Sequence, residues 1–210
     1  MPIIDISRTL SPGIAVWPGD TSFQIRRTLS RSEGHSVNLT TLTLSAHTGT
    51  HADAPLHFAD DGASLDHVDL IPFWGPAQVV TIARRAGALQ PDDLHSHDLS
   101  LAPRLLLRSS ASDLDPTAFP EQYVYPAPAL AAHLQQAGII LLGSDAPSMD
   151  HVESEDLPGH NALLRHGISI LEGLDLSRAP DGLYELSALP LKIAGGDGSP
   201  VRAALRPLSQ

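Results

Sequence analysis

Between positions 47 and 57 the chain reads His47-Thr48-Gly49-Thr50-His51-Ala52-Asp53-Ala54-Pro55-Leu56-His57, three histidines and one carboxylate within eleven residues. All four sit at odd positions, and side chains at even separations along extended backbone point to one side. The intervening Thr, Gly, Ala and Pro are poor helix formers, and Pro55 would stop a helix. The spacing therefore predicts that His47, His51 and Asp53 converge from a short extended or turning segment, with His57 nearby. Imidazoles with a carboxylate suit Zn²⁺, and to a lesser degree Mn²⁺ or Fe²⁺. Gly49 allows a bend or a close backbone approach. The chain holds 11 histidines, so chance clustering is the competing explanation. A shared side on a Gly/Pro-punctuated segment argues for a metal site instead.

A second group lies downstream. His160 follows Pro158-Gly159 and precedes Glu172 by twelve residues, across a short helix and the strand Ile168–Leu171. A Glu ending an apolar strand is costly unless paired or bound to a cation. The alternative is that Glu172 reaches solvent and His160 merely starts a helix. Asp145 also ends a strand, in a loop of the kind where α/β proteins place their sites. A carboxylate accepting loop N–H bonds explains Asp145 equally well.

These groups need a scaffold, and the chain has the means to build one. Its 210 residues suit a single domain, spanning 1–210, that buries about 70% of its unfolded surface. Ile3–Ile6, Phe23–Leu29, Val37–Ala46, Ala77–Ala83, Arg104–Arg108, Ile139–Leu142 and Ile168–Leu171 read as strands, with at least one more in Leu183–Ile193. Leu42, Leu44 and Ala46 alternate with polar residues, as in a half-buried strand leading into the histidine segment. Val37 and Leu39 are out of phase with them, which places a bulge near Thr40. Pro91–Leu94 reads as a helical turn, Pro128–Gln136 as a helix stopped by Gly138, and Asn161–His166 as a helix of under two turns. The fold class is α/β: one domain, a mixed sheet and short helices.

Composition narrows the function further. A formal net charge of −11, with no block of like charges, argues against nucleic acid as a partner, since phosphate binding wants a basic face. With no cysteine, any metal must be held by N and O ligands, and no disulfide framework exists. No apolar run approaches a membrane span, and the N-terminus lacks the pattern of a signal peptide. The expected location is the cytoplasm, with no membrane partner. No G-x-S-x-G element supports a serine nucleophile.

The histidine segment resembles the H-x-G-T-H-x-D-x-P-x-H signature of the metal-dependent cyclase-like hydrolases. Further similarity lies in Val16-Trp17-Pro18-Gly19-Asp20-Thr21, in Gly143–Asp150, in His160-Asn161 through Glu172-Gly173-Leu174-Asp175, and in Ala188–Lys192 with Ser199–Arg202. The Trp17 segment is similar to the arylformamidase (kynurenine formamidase) branch. The resemblance implies a swivelling β/β/α fold, a homodimer and two zinc ions per chain, with Mn²⁺ as the alternative. It implies that His47, His51 and Asp53 hold the first ion, and that Asp53 bridges to a second held by His160 and Glu172. It implies His57 as the general acid/base and Trp17 as a substrate contact. Without the resemblance, Trp17 reads as an ordinary core or turn aromatic. The expected reaction is hydrolysis of N-formyl-L-kynurenine to L-kynurenine and formate, in tryptophan degradation. Two alternatives stand beside it: another amide hydrolase of the family, such as an isatin-hydrolase-like enzyme opening a cyclic amide, and a non-catalytic metal-binding protein.

Overall fold

Consecutive apolar residues in the central strands demand cover on both faces, and the fold supplies it in two different ways. The computed structural model describes residues 2–208. Thirteen strands are β1 (Ile4–Asp5), β2 (Gln24–Leu29), β3 (Leu39–Thr43), β4 (His51–Asp53), β5 (Trp74–Thr81), β6 (Gly87–Leu89), β7 (Arg104–Arg108), β8 (Val124–Pro126), β9 (Leu141–Ser144), β10 (Ser169–Glu172), β11 (Gly182–Ser187), β12 (Gly198–Pro200) and β13 (Ala204–Pro207). The helices are α1 (Pro128–Gln136) and α2 (Pro158–Arg165). Nine strands form one mixed sheet in the order β1-β13-β11-β5-β7-β9-β10-β4-β12. Its centre, β5-β7-β9-β10, is parallel, and both flanks are antiparallel.

Alternate residues of each central strand enter separate cores. Val80, Leu105, Leu107, Leu142 and Ile170 pack with Leu130 and Leu134 of α1 and Leu163 of α2. Their neighbours Val79, Leu106, Leu141 and Leu171 pack with Ala52 of β4, Leu186 of β11 and Leu205 of β13. Helices therefore cover one face, while the curled sheet closes over its other face. This is the expected α/β class with a mixed sheet and short helices.

Three expectations are corrected. The strand at Val37–Ala46 is shorter, and β3 is not half-buried: Leu39 and Leu42 are each about half exposed. It pairs only with β2, in a hairpin set apart from the main sheet, so its alternation marks no core face within this chain. The register shift falls between Arg27 and Leu29 of β2, on the strand facing Thr40. Finally, α2 begins at Pro158, which fills the first helical turn where its missing N–H costs nothing. His160 thus lies inside the helix.

Candidate metal centre and substrate cavity

The antiparallel register of β4 and β10 sets Glu172 opposite His51, and Ile170 opposite Asp53. Directly opposed and alternate residues share a face, so His51, Asp53 and Glu172 project together towards α2. His51 Nε2 lies 3.4 Å from Asp53 Oδ1 and 3.3 Å from Glu172 Oε2. From α2, His160 brings Nε2 to 3.1 Å from Glu172 Oε1 and 3.6 Å from Asp53 Oδ2. His47, in the turn before β4, brings Nδ1 to 3.0 Å from Asp53 Oδ1. All five side chains expected to be metal ligands thus meet around Asp53. Glu172 is buried rather than solvent-reaching, which removes the alternative of a solvent-facing strand end.

Backbone contacts of unusual closeness hold this geometry. Gly49 and Gly173 both adopt left-handed conformations, and a Cβ on Gly173 would lie 2.3 Å from the Gly49 carbonyl oxygen. The turn carrying His47 to Thr50 can therefore press against the end of β10. On the other edge of β4, Gly198 leaves room for the His47 ring, which a Cβ there would meet at 2.6 Å.

Several groups orient the imidazoles. His51 Nδ1 lies 3.0 Å from the Gly49 carbonyl and donates to it in the neutral ring, leaving Nε2 free for a cation. His160 Nδ1 lies 2.7 Å from Asp150 Oδ2. Asp150 also accepts the N–H groups of Gly159 and His160, at 2.7 and 3.0 Å, so one carboxylate caps α2 and aims its histidine. Asp197 Oδ2 lies 3.2 Å from His47 Nε2 and 3.5 Å from His57 Nδ1. No local sequence pattern marks Asp150 or Asp197 for these roles. Asp145 is a brace: its buried oxygens accept from the N–H and hydroxyl groups of Ser109 and Ser112 at 2.7–3.0 Å.

Burial opposes charge throughout the cluster, and proximity overcomes it. Burial disfavours a cationic His51, but Asp53 and Glu172 push its pKa up to about 10. The same balance raises His160, with Asp150, Asp53 and Glu172 as the opposing carboxylates. Burial likewise acts to raise Asp53, yet His160, His47 and His51 hold it well below the usual carboxylate range. Here protons on imidazoles do the work of a cation. Asp53 Oδ2 is buried without a hydrogen-bond partner, an orphaned acceptor that a metal ion would satisfy. His51, Asp53 and Glu172 can place one donor atom each within 4.8 Å of one another, and so can His47, Asp53 and His57. The donor set fits divalent ions of the Zn²⁺ or Mn²⁺ type.

His57 ends the short 3₁₀ turn Pro55–His57, its side chain one-third exposed and its ring centroid 3.9 Å from that of His47. Burial and the neighbouring His47 lower its pKa. His47, His51, His57, His160 and Glu172 all face a cavity of about 370 Å³. Trp17 lines the same cavity and meets Phe119 edge to face at 5.3 Å. A turn aromatic 30 residues before His47 thus borders the cluster.

Residues 4–151 match the family described as "Putative cyclase". This chain belongs to the cyclase family. Among its relatives in that family is a kynurenine formamidase of Salinibacter ruber (strain DSM 13855 / M31), 48% identical over 98% of each chain. A kynurenine formamidase of Geobacillus thermodenitrificans (strain NG80-2) is 46% identical over 98% of this chain and 97% of its own. The cyclase fold is also that of isatin hydrolase A from Labrenzia aggregata, with a TM-score of 0.84 and 25% identity over 99% of this chain and 94% of that one.

Proposed function

We propose that this protein is a metal-dependent amidohydrolase that converts N-formyl-L-kynurenine and water to L-kynurenine and formate, in tryptophan degradation. The observation that carries this is the joining of an N/O metal cluster to an aromatic-walled cavity in a chain 48% identical to a kynurenine formamidase. Two divalent ions per chain, Zn²⁺ or Mn²⁺, would be held by His47, His51, Asp53, His160 and Glu172, with Asp53 contributing to both sites. When bound, such ions supply Lewis acidity, polarising the formyl carbonyl and making the attacking water more acidic.

The rest belongs to the chain's own residues. His57, partly exposed on the cavity wall, takes a proton from the attacking water and delivers it to the anilide nitrogen, so that the aryl amine leaves neutral. Asp197 holds its ring from the Nδ1 side. Trp17 and Phe119 offer apolar surface to the aryl ring. Asp150 keeps the Nε2 of His160 turned to the cluster. The working unit in this reading is a homodimer. The exposed Ile25, Val37, Leu39 and Leu42 on and beside the β2–β3 hairpin support it, since apolar residues grouped on one arm favour a partner surface.

The test is an assay of purified protein on N-formyl-L-kynurenine and on isatin, with and without a chelator. Release of kynurenine and formate that stops on chelation and returns with Zn²⁺ or Mn²⁺ supports the proposal. Turnover of isatin alone would move the protein to the cyclic-amide branch. Full activity after exhaustive metal removal would overturn the metal assignment.

A further inference from the structure

Besides its histidines, the cavity wall carries one basic side chain among the described residues, that of Arg8. Arg8 is fixed at its backbone and at one end of its guanidinium. Its N–H donates to Thr50 Oγ1 at 2.9 Å, and that hydroxyl donates to the Gly173 carbonyl at 2.6 Å. Thr50 precedes His51 and Gly173 follows Glu172, so Arg8 is tied to both strands that carry the cluster. Its Nη2 donates to the carbonyls of Ala111 and Asp145, at 3.0 and 3.2 Å. Both acceptors are neutral.

Among the described residues, no carboxylate lies within ion-pairing distance of Arg8, and Nε and Nη1 have no acceptor. The Asp145 carboxylate on the same wall is occupied by Ser109 and Ser112. A half-buried guanidinium without a counter-charge, with donors to spare, suits an anionic group on a ligand. Three acidic residues, Asp20, Asp115 and Glu155, also line the cavity. One cation and several anions around an aromatic-walled space match a ligand that carries both a carboxylate and an ammonium. In a chain of net charge −11, a carboxylate would otherwise meet a repelling field.

We propose that Arg8 binds the α-carboxylate of the substrate and so selects formyl anilides bearing an amino-acid tail over neutral amides such as isatin. This rests on the formamidase reading of the cavity and names the residue that would set its specificity.

The experiment compares kcat/KM for N-formyl-L-kynurenine with that for its decarboxylated analogue, N-formylkynuramine, in wild type, Arg8→Met and Arg8→Lys. All three are loaded with Zn²⁺ and checked for metal content and thermal melting. The expected result is a wild-type preference for the carboxylate-bearing substrate that falls by about 10- to 100-fold in Arg8→Met, the worth of a hydrogen bond between charged groups. Arg8→Lys keeps the charge without the planar guanidinium and should recover part of the preference. A wild type that treats both substrates alike overturns the proposal, as does an Arg8→Met variant in which both rates fall together. Calorimetric binding of L-kynurenine and kynuramine separates this from the reaction itself. If neither formyl compound is turned over but kynurenine binds better than kynuramine only when Arg8 is present, the recognition stands and the formamidase reading fails. Equal binding of the two amines, or of neither, overturns the recognition.

Discussion

At the scale of single residues, the sharpest question concerns His57. Its donor atom can join those of His47 and Asp53 within 4.8 Å, so distance alone allows a ligand. Its one-third exposure and its place on a 3₁₀ turn beyond β4 favour proton transfer. His57→Ala is therefore expected to keep its metal content while kcat falls by about 10²–10⁴, the usual share of general acid/base catalysis. Metal analysis and steady-state kinetics on the same preparation decide it; loss of metal would make His57 a ligand. The donors of this cluster were legible in the sequence because three of them, His47, His51 and Asp53, sit at even spacing with His57 within eleven residues. Their supporters were not. Asp197 approaches His47 from 150 residues away, and Arg8 meets Asp145 across 137. No local pattern reports such contacts. Asp150 is nearer, ten residues before His160, but its role depends on α2 starting at Pro158, and Pro158-Gly159 reads from sequence as a lead-in.

At the scale of elements, the cluster depends on two backbone segments meeting more closely than side chains permit. Gly173 combines a left-handed backbone with a position where any Cβ would lie 2.3 Å from the Gly49 carbonyl oxygen. Gly173→Ala should lose about 1–3 kcal/mol from the backbone conformation alone, a fall in Tm of at least about 2–4 °C for a chain of this length. Because the displaced turn carries His47 and leads into His51, metal content should fall with it. A variant with normal melting and full metal would mean that the two segments can separate without disturbing the ligands. Other elements show where pattern and burial part company. Leucine-rich β7 and the runs ending in β9 and β10 are buried on both faces, as their sequences imply. The alternation in β3 implies one buried face, yet the strand is exposed throughout. Alternation reports a surface made to be covered, and among the described residues no segment of the same chain buries this hairpin. Short flanking strands such as β12 and β13 carry too few apolar residues to stand out in sequence; pairing with β4, and with β1 and β11, defines them.

At the scale of the whole molecule, metal, protons and folding are linked, and the sign of the linkage can be worked out. In the metal-free protein burial opposes the charge on His51, but Asp53 and Glu172 raise its pKa from 6.5 to about 10. A raised folded-state pKa contributes stability that is fully present below the unfolded value and lost as pH rises through the folded one. Asp53 and Glu172 are shifted the other way: burial resists, but the histidines lower both. Their contribution is present above the ordinary carboxylate range and lost as pH falls. In these groups the metal-free protein is thus most stable between about pH 4.5 and 6.5 and weakens towards pH 10. A cation that takes the place of the His51 proton must release it, so metal affinity rises with pH over the same interval. The two trends oppose each other, and the gap in Tm between metal-loaded and metal-free protein should widen from about pH 6 to pH 8. Free metal at a hundred times its Kd stabilises by about 2.7 kcal/mol, which corresponds to about 5–10 °C for a chain of this length. Scanning calorimetry of both forms across that range, with metal titrations in two buffers of different ionisation enthalpy, measures the gap and the protons released. A gap that narrows as pH rises, or metal uptake without proton release, would show that the imidazole protons are not what the metal displaces.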